Sequence, residues 1–245
     1  MSTVASELER YLEARLQSGA SRLGNPELLS TLLALAKETG ARTALDVGSG
    51  CGDLVAQLWR EGIHATGLEL CPSLLERARS KVPQNAPLLQ GDAQTLKFPG
   101  EQFDLVTSAL VLHYLERPEA ALAEAYRVLK PGGWLLLADR VASPVPALRA
   151  IHERIERLRN PAFQRIFSPE ELEAILCQAG FSVLKSISTE EDVPLESWLS
   201  GTSADRASEI HREISGLSGA DLVGLRFDGG GIVRLRIRIH VARKK

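Results

Sequence analysis

Two spacings of apolar residues alternate along the first 140 positions. Short apolar runs such as Ala44-Leu45-Asp46-Val47 read as buried strands, and stretches with apolar residues every three or four positions read as amphipathic helices. The spacing predicts strands over 43–47, 65–70, 87–90, 103–108 and 134–139, with helices over 53–61, 72–81 and 118–129. Leu8, Tyr11, Leu12 and Leu16 predict a short N-terminal amphipathic helix. Asn25-Pro26 caps a second helix carrying Leu28, Leu32 and Leu35, and Gly40 ends it. Lys130-Pro131-Gly132-Gly133 reads as a sharp turn into the fifth strand. Strands that alternate with helices belong to an α/β fold, a doubly wound and mostly parallel sheet with helices on both faces.

The rhythm changes after Asp139. A charged helix is expected over 147–159, and Ser168-Pro169-Glu170-Glu171 signals the start of another that runs to Gly180. A strand follows over 181–188, then an interlude over 189–231, helical in part around Trp198 and Ile210. The last strand alternates with period two: Val233, Leu235, Ile237, Ile239 and Val241 on one face, Arg234, Arg236, Arg238 and His240 on the other. No aromatic platform interleaves with those arginines, so they read as the solvated face of a late or edge strand rather than a nucleic-acid surface.

Composition narrows the class. The 245 residues, 44% hydrophobic and 24% charged, suit one domain, taken as 1–245. A net charge of −2 leaves no global footprint for nucleic acid or an anionic membrane. Cys51, Cys71 and Cys177 have neither zinc-site nor disulfide-framework spacing, and no metal is expected. No leader and no apolar stretch of spanning length is visible, so a cytoplasmic location without a membrane span is expected.

The richest chemistry lies in Leu45-Asp46-Val47-Gly48-Ser49-Gly50-Cys51-Gly52-Asp53. It reads as a strand ending in an acid, a turn without side chains and a helix N-terminus offering backbone N–H groups. A dinucleotide fingerprint G-x-G-x-x-G fails in both registers, since Asp53 or Val55 holds the third position. A phosphate-cradling loop fails for want of a Lys, and Asp46 would repel a pyrophosphate but welcome a cation. Glu69, about twenty residues beyond the turn, is placed to accept from ribose hydroxyls. Asp92 in Gln90-Gly91-Asp92-Ala93 ends the third strand and can accept from an exocyclic amine.

Phe103-Asp104-Leu105-Val106 and Val128-Leu129-Lys130-Pro131-Gly132-Gly133 complete an ordered series. Over about 28–139, with a weaker match through 168–181, this series resembles the class I S-adenosylmethionine-dependent methyltransferases, in the flavour of ubiquinone- and menaquinone-biosynthesis enzymes. The resemblance implies a seven-stranded sheet of order 3-2-1-4-5-7-6 with the last strand antiparallel. It implies S-adenosyl-L-methionine as cofactor, with contacts at Asp46, Gly48, Ser49, Gly50, Gly52, Glu69, Leu70, Asp92, Ala93, Ser108 and His113. Methyl transfer to a small-molecule acceptor by in-line displacement is the expected activity. An RNA or protein methyltransferase is the alternative, but Ser108-Ala109-Leu110-Val111 stands where an N-P-P-Y-type element would serve a nucleobase amine. A non-catalytic cofactor-binding protein of this fold is a third reading.

Ligands of open α/β sheets bind beyond the C-terminal strand ends. His113 and Tyr114 therefore become candidates for the reaction site, followed by His152 and Arg159, while His64, His211 and His240 read as structural or surface residues. A helical lid over 1–24 and caps over 140–167 and 189–231 are expected to enclose the acceptor. The partner is then a small molecule rather than a nucleic acid, and a monomer or a homodimer is equally compatible.

Overall fold

A computed structural model describes residues 3–17, 26–228 and 231–245. Among them, β1 (Thr43–Val47), β2 (His64–Glu69), β3 (Leu88–Gln90), β4 (Phe103–Ala109), β5 (Leu129–Arg140), β6 (Phe181–Pro194) and β7 (Ile232–Lys244) form one sheet of order β3-β2-β1-β4-β5-β7-β6. The first five strands pair in parallel, while β7 runs antiparallel to both β5 and β6. Helices α1 (Thr3–Gln17), α2 (Pro26–Glu38), α3 (Asp53–Arg60), α4 (Pro72–Arg79), α5 (Pro118–Val128), α6 (Pro146–Arg159) and α7 (Pro169–Gln178) lie in the order the spacing predicts. Asn25, the expected cap, lies outside the described residues.

Strand pleating explains how one sheet serves two cores. Leu135 and Leu137 pack with Leu122 and Ala125 of α5 and Leu172 and Leu176 of α7. The intervening Leu136 and Ala138 pack with Leu28 and Leu32 of α2 and Leu54 and Leu58 of α3. Ser168 caps α7 as expected: its hydroxyl accepts from the Glu171 amide while the Glu171 carboxylate accepts from the Ser168 amide.

Two expectations change. The residues 130–133 bulge out of β5 opposite Asp104 rather than standing outside the strand, with Gly132 at φ 70°. Second, β6 runs on through 189–194, read from sequence as interlude. Acidic side chains alone argue against a strand, but Glu190 and Asp192 meet Arg236 and Arg234 across the ladder. Only the remainder forms helices, α8 (Leu195–Leu199), α9 (Ala204–Ser215) and α10 (Gly219–Leu225). As the implied order requires, β7 is internal and β6 is the edge. The β5–β7 pairing stops at Arg140↔Ile237, so 232–236 run on beside β6, with a bridge from Phe227 to Val233, and an arginine row there finds both water and acids. Closer to the core the same face is covered, and His240 is buried beside the Ser186 hydroxyl at 2.9 Å.

Candidate active site

The turn after β1 is built from its glycines. Gly48 and Gly50 take φ of 72° and 56°, in the left-handed region that a side chain resists. The amides of Gly48 and Ser49 both donate to the Leu68 carbonyl, at 2.7 and 2.9 Å. Glu69, at the end of β2, completes the cradle: one carboxylate oxygen accepts from the Gly50 amide at 2.8 Å, the other from the Leu70 and Cys71 amides at 2.9 and 3.1 Å. Asp46 is buried and its carboxylate accepts from the Thr107 hydroxyl at 2.7 Å. Asp92 accepts from the Gln94 amide at 2.8 Å, which bends the chain after β3.

Beyond these strand ends lies a cleft of about 340 Å³. Gly48, Glu69, Leu70, Asp92 and Ala93 line it, and Leu8 and Leu12 of α1 close it from above. Asp46, Ser49, Gly50 and Ser108 are not lining residues of the cleft. Gly52 looks the other way: a Cβ there would come within 2.9 Å of Val82 and 3.0 Å of Ala78, so its bareness lets α3 approach α4. A second chamber of about 100 Å³ adjoins the cleft, sharing Leu12 and Tyr114 with it. Its other walls include Tyr11, His113, Arg140, Arg159, Glu191 and Trp198.

A methyltransferase-domain family model matches residues 45–137. The methyltransferase YcgJ of Bacillus subtilis is 28% identical over 190 residues, 75% of either chain. Its crystal structure superposes with a TM-score of 0.80 at 25% identity, covering 89% of this chain and 97% of YcgJ. The ubiquinone/menaquinone biosynthesis C-methyltransferase UbiE of Ruegeria sp. is 39% identical over 126 residues, 49% of this chain and 50% of UbiE. This chain therefore spans about half the length of that relative. The chain carries a methyltransferase domain of the S-adenosylmethionine-dependent kind.

The family's cofactor is S-adenosylmethionine, and the residues present fit it. Bare backbone at Gly48 opens on the cleft, two acids flank it, and the Ser49 and Ser108 hydroxyls are buried without a hydrogen-bond partner. Gly50→Val is expected to weaken S-adenosylmethionine binding by about tenfold or more, because a β-branched residue resists φ 56° and drags the Gly50 amide off Glu69. Calorimetry on the folded variant checks this, and wild-type affinity would refute the placement of the turn.

This methyltransferase also carries an ionic cluster that sequence reasoning did not assemble. His113, in the Leu112–Tyr114 turn after β4, places Nδ1 2.6 Å from Asp139 Oδ1. The same carboxylate accepts from the Arg140 amide at 2.7 Å. Burial holds the His113 ring below its ordinary pKa of 6.5. Burial alone would raise the Asp139 carboxyl, but His113 and the Arg140 amide hold it below its ordinary range. The pair is therefore a neutral imidazole donating Nδ1–H to a carboxylate, which leaves the Nε2 lone pair free. Next to it, fully buried Glu156 accepts from Arg140 and, at 2.7 Å, from Arg159 Nη2. Arg159 also bonds the Tyr11 hydroxyl and stacks on the Trp198 ring, 4.7 Å from its centroid.

His152 does not line the chamber: it stands one turn before Glu156 on the same face of α6, its Nε2 3.6 Å from the Glu156 carboxylate, and lines the narrow void beside Arg140 instead. Asp139 was findable, because it ends a strand as Asp46, Glu69 and Asp92 do. Glu156 and Glu191 carried no such mark.

Proposed function

We propose that this chain methylates a small-molecule acceptor by in-line displacement, with the acceptor held in the second chamber and His113 as its base. One observation carries the reading: a buried, carboxylate-oriented imidazole lines a chamber that shares two walls with the cofactor cleft. Bound S-adenosylmethionine supplies a methyl carbon already activated by its sulfonium. The chain supplies position and a proton acceptor. Glu69 and Asp92 take the ribose and adenine ends, with Asp46 as the fixed negative charge behind the glycine turn. Asp139 fixes the tautomer of His113, whose Nε2 takes the proton of an acceptor O–H or N–H as that atom gains the methyl group. Helix α1 acts as the lid, while 140–167 and 189–231 act as caps that size the acceptor. At about 100 Å³, walled by Tyr11, Tyr114 and Trp198, the chamber suits a free metabolite better than a polymer. Among the described residues no helix is long and apolar enough to cross a membrane, and a cytoplasmic site of action fits such a substrate.

The test has two stages. Calorimetry should register S-adenosylhomocysteine binding in wild type and in His113→Asn alike. Turnover with a panel of phenols, amines and small acids should then fall by about 10²-fold or more in the variant for an acceptor that must lose a proton. Because burial lowers the His113 pKa, wild-type rate should hold as pH falls towards 6.5 and decline only below it. An active His113→Asn with an unchanged pH profile would remove His113 from the reaction.

A further inference from the structure

Arg140 ends β5 directly after Asp139, and strand pleating sends the two side chains to different sides. Arg140 lines the chamber and is only 6% exposed. Nη1 is used, donating to Glu156. Nη2 is buried with no hydrogen-bond partner. Neighbouring acids do not supply one: Asp139 is taken up by His113 and the Arg140 amide, and Glu156 by Arg140 Nη1 and Arg159. An unfilled buried guanidinium donor is costly, and fork geometry suits it to a planar oxyanion.

The other guanidiniums at this chamber are engaged. Arg159 is held by Glu156 and Tyr11, and Arg15 donates to Tyr11 and to the Trp198 carbonyl at 3.3 Å each. A narrow void of about 20 Å³ on the opposite side of Arg140 has room for about one water. Only the chamber has room for an organic group.

We propose that Arg140 receives the carboxylate of the methyl acceptor, so that the acceptor is a small carboxylic acid. This rests on the methyltransferase reading of the chamber given above. Two adjacent residues then divide the work: Asp139 orients the base and Arg140 orients the acceptor. Glu191, the remaining acid at the wall, has its carboxyl raised by burial, which eases an anion beside it.

Propionate and its neutral isostere propionamide probe the site. S-adenosylhomocysteine binding is measured first by calorimetry; its absence would overturn the methyltransferase reading and this proposal with it. The loaded protein is then titrated with either probe at ionic strength matched with sodium chloride, and its unfolding midpoint is followed. Propionate should raise the midpoint saturably with an apparent affinity at least about tenfold better than propionamide, as charge-assisted pairing requires. The preference should vanish in Arg140→Gln and in Arg140→Lys, which keeps the charge facing Glu156 but loses the fork. Equal responses to acid and amide in wild type, with S-adenosylhomocysteine bound, would overturn the assignment of Arg140 alone. A propionate response surviving in either folded variant would do so too. Should neither variant fold, the wild-type comparison still decides.

Discussion

Glu156→Leu is expected to lower the unfolding free energy by about 3–5 kcal/mol, the cost of leaving buried guanidiniums without their carboxylate. Glu156 is fully buried, and both Arg140 and Arg159 lean on it. Removing it strands the positive charge of two buried guanidiniums beside Trp198 and Tyr11. The pH dependence gives a second check. Burial alone would raise the Glu156 carboxyl, but the two arginines hold it well below its ordinary 4.5. A depressed folded-state value means stability that is present above 4.5 and lost as the solution is acidified below it. The gap between wild type and Glu156→Leu in urea titrations should therefore narrow with falling pH. A gap that stays constant or widens would show that packing, not charge pairing, sets the cost.

Glu69→Ala is the second large effect, and it acts on the fold and the cofactor at once. Sequence reasoning gives Glu69 one task, accepting from ribose hydroxyls. The structure adds another, because its two oxygens already accept from the Gly50, Leu70 and Cys71 amides. Truncation leaves the buried Gly50 and Cys71 donors unsatisfied, at about 1–3 kcal/mol each. Affinity for S-adenosylmethionine should fall as well, since the turn that opens on the cleft loses its anchor. Glu69→Gln keeps an acceptor oxygen and should recover part of the stability but less of the binding. Thermal unfolding and calorimetry on the same two samples separate the contributions. Loss of binding in Glu69→Ala with unchanged stability would mean that the carboxylate serves the ligand only.

What the chain displays openly is what local rules encode. The strand–glycine–helix succession at 43–60 and the acids ending β1, β2 and β3 are visible because period, turn chemistry and position coincide within a few residues. The Ser168–Glu171 cap is equally local. Partners far apart in sequence are hidden. His113 and Asp139 meet only because β4 and β5 are neighbours, and Tyr11 reaches Arg159 only because the fold brings α1 to α6. The extension of β6 through Glu190, Glu191 and Asp192 contradicts strand propensity, and arginines some forty residues later stabilise it. His152 was drawn in by residue type alone. His152 shares a helix face with Glu156, and only the packing around Arg140 puts it at the narrow void rather than at the chamber.

Tyr11 and Leu12 sit one after the other on a helix of barely four turns, and between them they roof both compartments. An excursion of α1 that lifts Leu12 is therefore expected to pull on the Tyr11–Arg159 latch as well, so that neither room opens on that side without disturbing the other.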